Sequence, residues 1–152
     1  LDKSTNKEQK AQKIFPLFDE VFDYELMAKL ALGKKNWLSF SSSQQEKFTQ
    51  QFLDYVKRSY MDKMDLYSGE KVHIVRTDHI NPQRTYLVTE LVGEKENYEI
   101  IYKFYASNGQ WKIYDLDILG VSLIQTYRAQ FDDILEQGDF QALMDKLETQ
   151  TE

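Results

Sequence analysis

Residues 111–131 read WKIYDLDILGVSLIQTYRAQF, and the apolar period changes inside this stretch. Before Gly120 the apolar residues sit at strand spacing and include the β-formers Trp111, Ile113 and Tyr114. After it they recur at Leu123, Ile124, Tyr127, Phe131, Ile134 and Leu135, the i, i+3, i+4 stripe of a helix with one buried face. Ser122 stands where an N-cap belongs, with a hydroxyl able to accept a hydrogen bond from a first-turn amide. The stretch predicts a strand that breaks at Gly120 and becomes an amphipathic helix carrying Tyr127 and Arg128.

Upstream of it, residues 71–78, 84–93, 97–107 and 110–119 read as four strands rich in Val, Ile, Tyr and Thr. Asn81-Pro82 marks one connection. Asn108-Gly109 marks another, because a type I′ hairpin needs positive φ at both central residues. In the third strand Tyr98, Ile100, Tyr102 and Phe104 share one face, which is the one expected to be buried; Glu99, Ile101, Lys103 and Tyr105 share the other.

Helices flank the strands on both sides in the chain. A short one is expected from Lys7 toward Pro16. Another starts at the N-cap Asp23, with Glu25 in its first turn and Phe22 placed to staple onto Met27, and stops at Gly33. Ser43 and Glu46 read as a capping box for the longest helix. Its stripe descends through Phe48, Phe52, Tyr55, Val56, Tyr60, Met64 and Tyr67 to a stop at Ser68-Gly69. Gly138 and Asp139 separate the 122–135 helix from a last one that turns Phe140, Leu143, Met144 and Leu147 inward. The order predicts an α+β fold, with helices packed on one face of a curved, largely antiparallel four-stranded sheet.

At 152 residues the chain has room for one domain, and residues 1–13 are read as frayed or extraneous to it. Ten Tyr and nine Phe are a heavy aromatic load, suited to a core or to a pocket wall. A net charge of -6 argues against nucleic acid as a partner. The absence of cysteine removes disulfides, thiolate metal sites and cysteine nucleophiles. No run reaches the roughly 20 apolar residues needed to span a bilayer.

Few residues suggest chemistry. His73 and His79 would share a strand face, but no third ligand lies at a suitable spacing, so no metal site is expected. Gly120-Val121-Ser122 lacks the second glycine of a nucleophile elbow. Asp115 and Asp117 alternate onto one side of the fourth strand among aromatics. If buried they require a cation or several hydrogen bonds, and Arg128 and Arg84 are the partners considered. An Asp base beside Tyr donors in an apolar cavity would instead suit proton abstraction next to a carbonyl.

Two stretches resemble the MlaC family of periplasmic phospholipid-binding proteins, the toluene-tolerance auxiliary proteins of ABC transporters. They are FDYELMAKLALGKKNW at residues 22–37, where Lys35-Asn36 reads as a one-residue extension before Trp37, and WKIYDLDILGVSLIQTYRAQFDDIL at residues 111–135. The resemblance covers nearly all of the chain beyond Ile14. It implies a cone like that of the nuclear transport factor 2 group, with a deep apolar cavity between sheet and helices. It also implies a single lipid-binding domain without catalytic activity or cofactor. The expected cargo is a phospholipid, carried between an outer-membrane lipoprotein complex and an inner-membrane ABC transporter with its substrate-binding subunit, so as to maintain outer-membrane lipid asymmetry. The expected location is the periplasm, with the signal peptide taken as absent from this sequence. A monomer that meets membranes only transiently is expected.

The physics fits such a carrier. Exposing two acyl chains to water costs on the order of 20 kcal/mol, at about 0.8 kcal/mol per methylene. A net negative surface limits lingering on anionic bilayers. The expected wall comprises Tyr55, Tyr60, Val75, Val88, Tyr102 and Phe104, together with Tyr114, Val121, Leu123, Ile124 and Tyr127. Asp115 and Arg128 are expected to brace the strand-helix turn as a pair or to stand at the cavity rim. Gly69 and Gly120 are read as points where sheet and helices part for release. Two alternatives stand beside this reading: an enzyme of the same fold using Asp115 or Asp117 as base with a tyrosine donor, and an interaction module with a vestigial pocket.

Overall fold

The computed structural model describes residues 19–63, 71–93 and 95–149, of which 59–63 and 71 by backbone alone. Helix α1 (Tyr24–Leu32) begins as the sequence predicts: Asp23 accepts from the Leu26 amide at 3.0 Å. It ends at Gly33, whose φ of +86° suits glycine and whose amide donates to the Lys29 carbonyl. A further short helix, α2 (Lys34–Ser39), follows at once. Helix α3 (Ser42–Lys63) opens with a capping box two residues earlier than expected. There Gln44 N donates to Ser41 Oγ at 3.2 Å while Ser41 N donates to Gln44 Oε1 at 2.9 Å. The helix expected near Lys7, residues 64–67 of the long stripe and the Ser68-Gly69 stop lie outside the described residues.

Five strands form one antiparallel meander in chain order: β1 (Lys71–Asn81), β2 (Arg84–Val92), β3 (Asn97–Ser107), β4 (Gln110–Ile118) and β5 (Val121–Ser122). Asn108 and Gly109 have φ of +52° and +79°, the paired left-handed values of the predicted hairpin. Leu119 and Gly120, at +54° and +83°, repeat that geometry. The change of period at Gly120 is therefore a second tight hairpin, and the chain runs back along β4 for two residues before helix α4 (Leu123–Gln137) starts. Leucine is an unusual residue for a left-handed position, but here the Leu119 amide donates to the Glu99 carbonyl of β3 at 3.1 Å. Gly138 and the N-cap Asp139, which accepts from Ala142 N at 3.0 Å, lead into α5 (Phe140–Thr149).

The helices share one buried cluster. Met27, Ala28, Ala31 and Leu32 of α1 meet Phe48, Phe52 and Tyr55 of α3, Ile124, Tyr127 and Phe131 of α4, and Leu143, Met144 and Leu147 of α5. Phe48, Phe52, Tyr127 and Phe131 lock it through edge-to-face and stacked contacts at 5.4–6.1 Å between ring centroids. Arg58 of α3 donates to the Leu147 and Glu148 carbonyls, satisfying the C-terminal end of α5. Among the described residues this cluster draws on helices alone, and the helices touch the sheet mainly at β4 and β5. Phe22 extends the join by a parallel bridge to Ile113, beside a bond from Asp23 N to the Ile113 carbonyl at 2.9 Å.

Candidate functional site

The strand register divides the sheet into two unlike faces. Cross-strand pairs place Leu87 opposite Tyr102, Thr89 opposite Ile100 and Leu91 opposite Tyr98. On the other side of β3, Tyr102 meets Leu116, Ile100 meets Ile118 and Phe104 meets Ile113. All of these project to one face, because side chains directly opposite in a ladder lie on the same side. Thr89, Leu91 and Ile113 are buried there, whereas Leu87, Ile100, Tyr102, Phe104, Leu116 and Ile118 are only half-buried. Toward β1 the face opens further, and Ile74 is 70% exposed. The result is a broad apolar wall that the helical cluster does not close.

The opposite face is polar at its centre. Lys103 Nζ lies 2.9 Å from Asp117 Oδ1 and 3.4 Å from Asp115 Oδ2, so one ammonium serves two carboxylates. Asp115, only 6% exposed, also accepts from the Ser122 hydroxyl at 2.6 Å and from the amides of Leu116 at 2.7 Å and Ile124 at 3.1 Å. These bonds tie β4 to the first turn of α4, where the helix dipole favours an anion. Ser122 in turn accepts from Gln125 N at 3.1 Å as the predicted N-cap.

Tyrosines surround this group. The Lys103 ammonium stands 5.5 Å from the Tyr86 ring centroid, and the Tyr114 hydroxyl is 3.5 Å from that of Tyr86. Arg84 lies over the Tyr114 ring, and Tyr105 packs edge-on against it. Burial and the Tyr86 hydroxyl push the Tyr114 phenol well above its usual range. The Tyr105 hydroxyl donates to the Asp23 carboxylate, and that bond, helped by burial, raises its pKa too. For Lys103, burial favours the neutral amine, but the pairing with Asp117 and Asp115 outweighs it and the net shift is upward.

The expected pair of Asp115 with Arg128 does not form. The carboxylate is already engaged by Lys103, Ser122 and two amides, while Arg128 lies against Gly33: a Cβ there would sit 3.2 Å from Arg128 Nε. The C-terminal carbonyls of α1 offer that guanidinium a favourable end of a helix dipole. Sequence reasoning missed Lys103, because its place opposite Asp115 depends on a bulge. Lys103 pairs with Asp115 and Phe104 with Ile113, leaving Tyr114 as the extra residue. Tyr114 and Asp115 thereby project to the same face, as the contacts of Tyr114 with Tyr86 and Tyr105 show.

The residues expected to form one wall are distributed over the helical cluster, the two faces of the sheet and two exposed strand positions. Tyr55, Ile124 and Tyr127 are buried in the helical cluster, with Leu123 packed on it. Tyr102 and Phe104 stand on the apolar face. Val88, which pairs with Ile101, and Tyr114 are on the Lys103 face. Val75 is the extra residue of a bulge in β1 and is 51% exposed; Val121, beside the β5 turn, is 59% exposed. The Tyr60 side chain is outside the described residues. The Val75 bulge also parts the histidines: His73 pairs with Glu90 and His79 with Thr85, which lie on opposite faces.

A family model described as MlaC protein matches residues 1–149. The fold is similar to that of a phospholipid-binding protein from Ralstonia solanacearum, solved in complex with a phospholipid. The two superpose with a TM-score of 0.79 at 23% sequence identity, over 91% of this chain and 80% of that one. No curated protein matches the chain.

Proposed function

This chain belongs to the MlaC family, and from that premise we propose that it is a periplasmic carrier that holds one phospholipid with its acyl chains against the apolar face of the sheet. The observation that carries the reading is the unclosed wall formed by Leu87, Ile100, Tyr102, Phe104, Leu116 and Ile118, beside a helical cluster that is complete without it. Acyl chains complete such a wall as a missing layer of core would. Tyr102 offers a ring to the chains and a hydroxyl to the rim. The phospholipid complex of the similar Ralstonia solanacearum structure supports this occupant.

In this reading the protein moves lipid between an outer-membrane lipoprotein complex and an inner-membrane ABC transporter. Its role is binding, not bond chemistry. Asp115, the candidate base of the enzyme reading, is spent on bracing β4 to α4. If the sheet shifts against the helices as cargo leaves, the β4–β5 turn at Gly120 is the joint. A cross-link from that turn to α3 slows transfer if the joint moves; unchanged transfer rates exclude it.

The deciding experiment is native mass spectrometry of the purified protein, with lipid extraction alongside. Stoichiometric two-chain lipid is the expected result. Protein that is consistently lipid-free and cannot be loaded overturns the proposal.

A further inference from the structure

The corner between α1 and α2 differs in charge from the rest of the molecule. Lys29, Lys34, Lys35 and Arg128 are all exposed there, on a chain whose net charge is -6. They are neighbours in space: Arg128 lies against Gly33, the residue joining the two helices, and Lys29 Nζ is 5.5 Å from the Trp37 ring centroid. Two acids stand at the margin: Glu25 pairs with Lys29 at 3.6 Å and offsets its charge, and Asp132, which accepts from Asn36 Nδ2 at 3.0 Å, stays anionic, so the four cations exceed these two acids by two charges.

Apolar side chains protrude from the same corner. Leu38 is 67% exposed and lies one helical turn from Lys34 and Lys35, on the same side of α2. Leu30, next to Lys29, is 39% exposed. Bare leucines ringed by lysines fit the boundary of an anionic bilayer, where ammonium groups meet phosphates and leucine enters the acyl region. An acidic protein surface would satisfy the lysines but would give two isolated, protruding leucines no apolar partner.

We infer that this corner docks the protein reversibly on anionic lipid surfaces, through Lys29, Lys34, Lys35 and Arg128 with Leu38 as the inserted apolar group. The surrounding negative charge is repelled by the same bilayer, so the contact is oriented and brief. The inference goes beyond the carrier reading, since it concerns helix surface residues that are not part of the sheet's apolar wall and needs no cargo.

The test is flotation of the whole protein with vesicles of phosphatidylcholine alone and of phosphatidylcholine mixed with phosphatidylglycerol. Binding to the mixed vesicles only, weakening as salt is raised, is expected. Each lysine near a strongly anionic surface is worth about fivefold in partition, so Lys34→Glu with Lys35→Glu lowers binding roughly 25-fold or more. Leu38→Ser gives a smaller loss that added salt does not mimic. Lys95→Glu, on an exposed turn between β2 and β3, is the control matched in net charge to Lys34→Glu alone and leaves binding near that of the unaltered protein. Circular dichroism confirms that each variant is folded. Absence of binding to the mixed vesicles overturns the inference, as does a loss in the Lys95 variant equal to that of Lys34→Glu alone. Lipid-loaded protein that fails to float sinks docking alone, whereas protein that floats but never holds lipid sinks the carrier reading alone.

Discussion

The helical layer and the sheet use similar residues to opposite ends. In the helices Phe48, Phe52 and Phe131 are wholly enclosed by one another and by Met27, Leu143 and Met144. In the sheet Ile100, Tyr102, Phe104 and Leu116 are just as apolar yet half-buried, and Val72 and Ile74 at the β1 edge are open. Where apolar surface is fully paired it supplies stability; where it is left half-paired it is available to a ligand. The contrast predicts that substitutions in the two regions separate folding from binding.

The largest effect is expected in the helices. Phe52→Ala removes a ring that contacts Phe48, Tyr127 and Phe131, and should cost about 3–5 kcal/mol in urea unfolding. Ile74→Thr on the open edge should change stability by no more than about 0.5 kcal/mol. Equal costs at the two positions would break the comparison.

Next comes the joint between the regions. Asp115→Asn removes the charge that pairs with Lys103 and puts an NH2, which cannot accept, where Oδ2 takes the Ser122 hydroxyl, while the remaining oxygen keeps the Leu116 and Ile124 amides, for an expected loss of about 2–3 kcal/mol. Ser122→Ala, which leaves the carboxylate with its other donors, should cost about 1 kcal/mol as a lost cap. If Asp115→Asn unfolds no more easily than the unaltered protein, Asp115 is not the brace between sheet and helices.

The two faces of the sheet sharpen the contrast further. Ile100→Asp combined with Leu116→Asp places charge where acyl chains are proposed to lie, and should abolish lipid co-purification. The same pair should reduce stability by about 2–5 kcal/mol through lost apolar burial, so urea unfolding must show the variant folded before its lipid content is counted. Ile101→Asp, on the Lys103 face, should leave lipid content unchanged. Lipid retained by the first variant and lost by the second would move the site to the other face.

Much of this architecture was legible because it is local. The periods of α3, α4 and α5, the Asp23 and Ser122 caps, the Gly33 stop and the Asn108-Gly109 turn are each set by residues within a few positions of one another. Face and partner depend on register, which is not local. Counting outward from the Asn108-Gly109 turn sets Asp115 opposite Tyr102, and only the extra residue Tyr114 brings it opposite Lys103. Val88 likewise looks interchangeable with Leu87 in sequence, and only its pairing with Ile101 puts it on the polar side. The β4–β5 hairpin was hidden because Leu119 occupies a left-handed position that composition assigns to Asn or Gly.

The smallest expected effect concerns pH and, apart from Tyr24 at the start of α1, whose phenol is raised by burial and by Asp19, belongs to the Lys103 face. A raised Lys103 pKa means that the folded state holds its proton more tightly than the unfolded chain does. That contribution is complete below the ordinary lysine pKa of about 10.4 and is lost as pH rises through the raised value. The raised phenols of Tyr105 and Tyr114 act with the same sign, since the folded state keeps their neutral forms. Stability on this account is level through neutral pH with respect to these groups and falls only above about pH 10. Lys103→Met should lower stability at neutral pH, yet flatten the alkaline decline by at most one proton, or about 1.4 kcal/mol per pH unit. Urea unfolding of both proteins across the alkaline range gives the slopes. A decline as steep in the variant as in the unaltered protein would place the alkaline titration on the tyrosines and leave Lys103 a spectator of it.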